Sequence, residues 1–258
     1  MDEAVYRAAQ LLLTARHAVA LVGAGLSRES GIPTFRGEGG LWTRFGEPPM
    51  NQYQRFLADP RAWWLQRLEE SRRPSEFTEA IQRARPNPGH YALAELERLG
   101  LIKHVITQNV DNLHFAAGSV NVTEIHGNRT RLRCVACGRR EPVRAFAPEE
   151  VPPRCPTCGG LVKSDTVMFG EPIPPEALAE CERQTRQCDV MLVVGTSGTV
   201  YPAADYPMRV MMQGGSLIES NVDDTPFTPH AAIVLRGPSG VLLPQVVEAV
   251  KRLRDGER

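Results

Sequence analysis

The stretch Ala18-Val-Ala-Leu-Val-Gly-Ala-Gly25 decides the fold. Its apolar residues run without alternation and end on a glycine turn, the pattern of a short strand buried on both faces. On its N-terminal side, residues 3–15 place Val5, Ala8, Ala9 and Leu12 on one face of a helix. A helix, a buried strand and a glycine turn, in that order, often begin a nucleotide-binding sheet. Farther along, His104-Val-Ile-Thr107, Val190-Met-Leu-Val-Val194, Ser216-Leu-Ile-Glu219 and Ala231-Ala-Ile-Val-Leu235 read as further buried strands. Helical stretches over 90–99 and 175–187 separate several of them, and Val246, Val247, Val250 and Leu253 make 244–253 a closing helix. Strands alternating with helices predict an α/β fold around a parallel, doubly wound sheet covered on both faces.

Two regions break this rhythm. Residues 33–88 are rich in Pro, Arg and Trp, with a helix around 61–71, and residues 129–165 hold most of the cysteines and little periodicity. Both read as insertions, leaving 1–32, 89–128 and 166–258 to the sheet domain. There is no internal repeat. No apolar run approaches the roughly 20 residues that span a bilayer, and the acidic start with its short apolar run does not make a signal peptide. The expected location is the cytoplasm. With 30 basic and 30 acidic residues the chain has no strong general attraction to nucleic acid or to an anionic membrane.

Cys134-Val-Ala-Cys137 and Cys155-Pro-Thr-Cys158 have the spacing of a zinc ribbon, with Gly138 and Gly159 beside the two turns. Four thiolates would complete a tetrahedral shell and leave no place for water or substrate, so the metal is expected to be structural. A pair of disulfides is the competing reading. Cys181 and Cys188 lack such partners and are expected to pack in the core. The ribbon loop mixes Glu141, Glu149 and Glu150 with its arginines and shows no basic stripe, which favours a brace over a nucleic-acid module.

Gly23-Ala-Gly25 opens the dinucleotide pattern G-x-G-x-x-G, yet Arg28 stands where the third glycine belongs. Taken alone, a structural turn explains it as well. The longer run Gly23-Ala-Gly-Leu-Ser-Arg-Glu-Ser-Gly-Ile-Pro-Thr-Phe-Arg-Gly37, however, closely resembles the signature of the sirtuins. Thr107-Gln-Asn-Val-Asp111, Leu113-His114, Glu124-Ile-His-Gly127, both cysteine pairs and Val194-Gly-Thr-Ser197 resemble further segments of that family, in the same order. Tyr201-Pro-Ala-Ala204 and Glu219-Ser-Asn221 add weaker agreement.

The resemblance implies a Rossmann-like NAD-binding domain with a smaller domain made of the zinc ribbon and the helical insertion. It implies NAD-dependent protein-lysine deacylation, most simply deacetylation. Acyl-lysine and NAD meet in the cleft between the domains, and nicotinamide and O-acyl-ADP-ribose leave it. By the same resemblance His126 is the general base and Asn109 its catalytic companion. Gly23, Ala24, Gly25 and Ser27 approach the diphosphate, while Ile32, Phe35 and Arg36 lie on the cofactor loop. Gln108, Asn109 and Asp111 hold the ribose and nicotinamide, although Asn and Asp also occur at strand ends for turn chemistry. Gly195, Thr196, Ser197, Asn221, Val222, Asp223 and Ser239 border the remaining nucleotide. Val167, Phe169 and Gly170 wall the acyl-lysine tunnel; Met168 stands where the family more often has an aromatic.

His114 is assigned a structural role, and His17, His90, His104 and His230 have no chemical case. Thr34 resembles the branch that removes succinyl and malonyl groups, but the Tyr-x-x-Arg pair of that branch is missing from Trp63-Trp-Leu-Gln-Arg-Leu-Glu-Glu70. Neutral acyl groups are therefore expected. An ADP-ribosyltransferase, an NAD glycohydrolase or an inactive NAD-sensing protein would share many of these residues. The partner is expected to be an acyl-lysine protein or peptide; the oligomeric state is not legible.

Overall fold

The computed structural model describes residues 2–37, 39–143 and 150–256; Glu149 of the ribbon loop lies outside them. Asp2 accepts a hydrogen bond from Ala4 N–H and caps α1 (Glu3–Thr14), whose Val5, Ala8, Ala9 and Leu12 are all buried. The chain then enters β1 (Ala18–Val22), buried at every position. The glycine turn leads into a 3₁₀ helix over Ala24–Ser30. The α2 (Leu41–Phe45), α3 (Gln52–Ala58), α4 (Pro60–Arg72) and α5 (Glu76–Arg83) helices fill the first interruption. They are followed by α6 (Pro88–Arg98), β2 (Ile102–Thr107), α7 (Leu113–Ala116) and β3 (Val122–Glu124). The second interruption holds β4 (Arg131–Cys134), β5 (Arg140–Pro142) and β6 (Val162–Ser164). Finally come α8 (Pro175–Gln187), β7 (Val190–Val194), α9 (Asp205–Met212), β8 (Ser216–Asn221), β9 (Ile233–Arg236) and α10 (Ser239–Asp255).

The main sheet has six strands in the order β3-β2-β1-β7-β8-β9, and every pairing is parallel. Alternate residues of β1 feed opposite layers, as a two-residue period requires. Ala18, Ala20 and Val22 pack with α1, α6 and α10, whereas Val19 and Leu21 pack with Cys181, Cys188, Tyr206 and Val210 on the other face. The cysteines expected to be packing residues are thus buried in that second layer, where burial pushes both thiols up to about 12.

From β1 the chain moves outward to β2 and β3, then returns to lay β7 along the other edge of β1. Strand order therefore reverses between β1 and β7, the place where open parallel sheets leave a ligand crevice.

A second, antiparallel sheet runs β5-β4-β6. Trp64 of α4 shares a hydrophobic cluster with Leu132, Cys134, Cys155 and Val162, and its indole N–H donates to Val162 O at 2.8 Å. The two sequence interruptions thus pack on each other. Element limits differ from the sequence reading at several ends. The last helix begins at Ser239, with Pro244 inside it, so the proline that looked like a helix start instead withholds one N–H from the ladder. The three-residue β3 was too short to register as an apolar run.

Candidate active site

The C-terminal ends of the parallel strands lie along one edge of the sheet. At the switch point Gly23 N–H donates to Val194 O at 2.9 Å and Gly25 N–H to Gly195 O at 2.8 Å. The two loops touch so closely that a Cβ on Gly25 would lie 2.7 Å from Gly195 Cα. Gly195 itself has φ 55°, a left-handed conformation natural to glycine. Asn221, at the end of β8, donates its side-chain amide to Thr196 O at 3.0 Å, and Gln108, beyond β2, donates to Thr196 Oγ1 at 2.9 Å. Ser197, Val222 and Asp223 stand exposed at the rim. Ser239 opens α10, buried, with its hydroxyl 3.3 Å from that of Ser220.

Beneath this rim lies a buried polar chain whose protons can be assigned from the partners. Asn87 N–H donates to His90 Nδ1 at 3.3 Å, so His90 carries its proton on Nε2, which lies 3.4 Å from Ser27 Oγ. Asn109 donates to the same hydroxyl at 3.1 Å and to Gly23 O at 3.0 Å. Ser27, with both lone pairs engaged, donates its own proton to Asp111 at 2.7 Å. Burial raises the Asp111 carboxyl, although hydrogen bonds from Leu113 N–H and Ser27 pull it back. Burial also drives His90 down to about 3 and the adjoining His114 to about 4, so both rings are neutral.

Ala24, Ser27, Ile32, Phe35, Asn109 and Asp111 line one cavity, together with Pro33, Phe77, Ile81 and Val110. Phe35 packs at a tilt between Trp42 and Phe77, with ring centroids at 4.9 and 5.4 Å, and Trp42 lies 5.4 Å from Phe169. Arg36 packs over Trp42 and pairs with Glu47 at 2.8 Å.

His126 follows β3. Its Nδ1 lies 3.2 Å from Gln108 O, which fixes that nitrogen as the donor and leaves Nε2 with its lone pair. Burial lowers its pKa, while the Gln108 carbonyl counteracts this. The His126 carbonyl accepts from Val167 N–H at 2.9 Å, tying this loop to the 167–170 segment. Gly127 has φ 75°, and a Cβ there would overlap Asp165 O.

The ligand sulfurs of Cys134, Cys137, Cys155 and Cys158 all lie within 4.8 Å of one another, with Cys134–Cys158 at 3.5 Å and Cys137–Cys155 at 3.7 Å. Sulfurs at tetrahedral corners around zinc stand about 3.8 Å apart, given Zn–S near 2.3 Å. The donor set fits that ion, and disulfide pairing is not observed.

A family model described as the Sir2 family matches residues 23–202. An NAD-dependent protein deacylase from Thermococcus kodakarensis is 47% identical over 95% of this chain and 95% of its own length. The chain belongs to the Sir2 family. A solved Sir2 homologue bound to NAD is 41% identical, with a TM-score of 0.81 over 98% of this chain and 95% of that one. A Sir2 mutant complexed with a deacetylated p53 peptide and 3'-O-acetyl-ADP-ribose is 34% identical, with a TM-score of 0.76 over 93% and 96% of the two chains. Fold and ordered motifs of this Sir2 chain are those of an NAD-dependent protein deacylase.

Sequence reasoning missed part of the candidate site. His90, set aside as chemically silent, holds Ser27 in the polar chain, and Phe77 and Ile81 of α5 line the cavity. Asn87-Pro88 ahead of an apolar run is a helix-start signal that could have drawn attention to His90 at the third helical position. Nothing in α5 beyond its amphipathic spacing marks Phe77.

Proposed function

We propose that this chain removes neutral acyl groups, acetyl first among them, from protein lysines at the expense of NAD, releasing nicotinamide and O-acyl-ADP-ribose. The observation that carries this reading is the convergence of His126, the Asn109–Ser27–Asp111 chain and the β1–β7 crevice on one region of the sheet. Bound NAD supplies a ribose carbon activated by its nicotinamide leaving group.

The protein's residues then divide the work. Ala24, Thr196 and Ser197 offer backbone N–H groups to the diphosphate, while Gly23, Gly25 and Gly195, whose own N–H groups bond the carbonyls of Val194, Gly195 and Ser220, let the two loops come close enough to cradle it. Asn221, Val222, Asp223 and Ser239 border the adenosine. Ile32, Phe35 and Arg36 close over the nicotinamide end, where Phe35 excludes water from the reacting carbon. Asp111, held by Ser27, accepts from the carboxamide, and Gln108 and Asn109 orient the ribose. His126 Nε2 takes a proton from a ribose hydroxyl; a positioned base contributes about 10²–10⁴-fold.

Val167, Phe169 and Gly170 form the substrate edge. Support for this comes from the Val167 carbonyl and the Phe169 N–H, which have no hydrogen-bond partner among the described residues, as a segment awaiting a peptide strand would. Zinc at Cys134, Cys137, Cys155 and Cys158 braces the small domain, with 33–88 and 129–165 set against a sheet domain of 1–32, 89–128 and 166–258. The choice of a neutral acyl group rests on the missing Tyr-x-x-Arg pair.

The test incubates the protein with NAD and an acetylated peptide. Equal amounts of nicotinamide, deacetylated peptide and O-acetyl-ADP-ribose by mass spectrometry are expected. Nicotinamide released as fast without peptide would make the protein a glycohydrolase, and label from NAD fixed on protein would make it a transferase. A clear succinyl preference would overturn the acyl assignment.

A further inference from the structure

Lys163 is fully buried in β6, an uncommon place for an ammonium. All of its N–H donors are used: Ser164 O at 2.8 Å, Thr166 O at 2.7 Å and the Glu171 carboxylate at 2.9 Å. Glu171 in turn accepts from Met168 N–H at 2.8 Å and from Arg133 at 2.6 Å, and Arg133 reaches Asp165 at 3.0 Å. Asp165 is also paired with Arg140 at 3.1 Å and Arg131 at 3.5 Å, so four cations hold the two buried carboxylates, and of these Lys163 and Arg133 are themselves buried.

The network grips backbone groups of three alternate residues, Ser164 O, Thr166 O and Met168 N–H, along the bend that leaves β6. The residues between them make other contacts. Val167 N–H bonds His126 O, and the Val167 carbonyl and Phe169 N–H are unpaired among the described residues. Ser164, Thr166 and Met168 are clamped, and Val167 between them is tied to the His126 loop.

We infer that Lys163 is a positioning residue for the acyl-peptide, its ammonium setting the register of 167–170 so that the free edge meets the substrate backbone next to His126. This rests on reading 167–170 as the substrate edge. A buried ion pair is weak as a source of stability and is better suited to fixing one arrangement among several. The apolar cluster of Trp64, Leu132 and Val162 already closes the small sheet without it.

The test compares an acetylated peptide with N-ε-acetyl-lysine lacking flanking residues, using wild type, Lys163→Met and Lys163→Arg. Lys163→Met is expected to raise the peptide KM about 10- to 100-fold, the range that a small misplacement produces. The NAD KM, zinc content and turnover of the minimal substrate should stay at wild-type values, and Lys163→Arg should recover much of the loss. A Lys163→Met protein that keeps the wild-type preference for peptide over minimal substrate overturns the assignment to Lys163. A wild type with no such preference overturns the substrate-edge reading itself. Should Lys163→Met lose zinc or fail to fold, Glu171→Gln carries the same comparison, with the same loss expected and the same retention contradicting it.

Discussion

His126, the proposed general base, shows how surroundings set the protonation of a single side chain. The Gln108 carbonyl holds Nδ1–H at 3.2 Å and so leaves Nε2 basic, while burial disfavours the imidazolium. With the pKa below the ordinary 6.5, the neutral ring persists to lower pH than free imidazole would. The acid limb of kcat/KM for deacylation should therefore fall below pH 6.5, and a limb well above that value would mean a different group titrates. Gly25 makes the complementary point about space. A methyl group there meets Gly195 backbone at 2.7 Å, with no flexible side chain to yield. Gly25→Ala is expected to cost about 1–3 kcal/mol, typical of overpacking, and to weaken NAD binding; calorimetry showing wild-type stability and affinity would refute this. The motif reading assigned Gly25 to the diphosphate, and its contact with Gly195 could not be seen because the two are distant in sequence.

Among elements, the buried strands were the most legible, because an unbroken apolar run such as 18–22 or 190–194 has few other uses in a chain of this composition. Short or edge pieces were not, since β3 and β5 bury too little to impose a pattern. The α6 start depends on the Asn87–His90 capping box, in which a neutral His90 accepts Asn87 N–H. An unfolded chain takes up protons at its histidines near pH 6.5, whereas His90 resists to about 3 and His114 to about 4. Between those values the unfolded state binds more protons, so stability present above pH 6.5 is lost as pH falls. Thermal melts from pH 7 to 4.5 should show that decline, smaller in His90→Gln; a flat profile would contradict it. The ribbon elements are expected to depend on metal. One zinc per chain is expected by elemental analysis, and a strong chelator should shift tryptophan emission to the red, because Trp64 packs on Cys134 and Cys155. Unchanged emission after full zinc loss would show that the small sheet stands without it.

At the scale of the whole molecule, function comes from topology. The reversal between β1 and β7 places the Gly23 and Gly195 turns against each other, β2 delivers Gln108, Asn109 and Asp111, and β3 delivers His126. The two interruptions of the alternating pattern pack on each other through Trp64, and the 167–170 segment that follows the second is tied to the His126 loop. Sequence order was enough to identify the family and to nominate residues that the fold brings to one edge of the sheet, since several of the motifs sit just beyond a strand. Residues brought in by packing alone, such as Phe77 and His90, became visible only in the assembled fold. The most direct measurement is deacetylation by His126→Ala, followed by mass spectrometry with zinc content and NAD affinity determined on the same sample. Turnover is predicted to fall about 10²–10⁴-fold while zinc and NAD binding stay as in the wild type; undiminished turnover would place the base elsewhere.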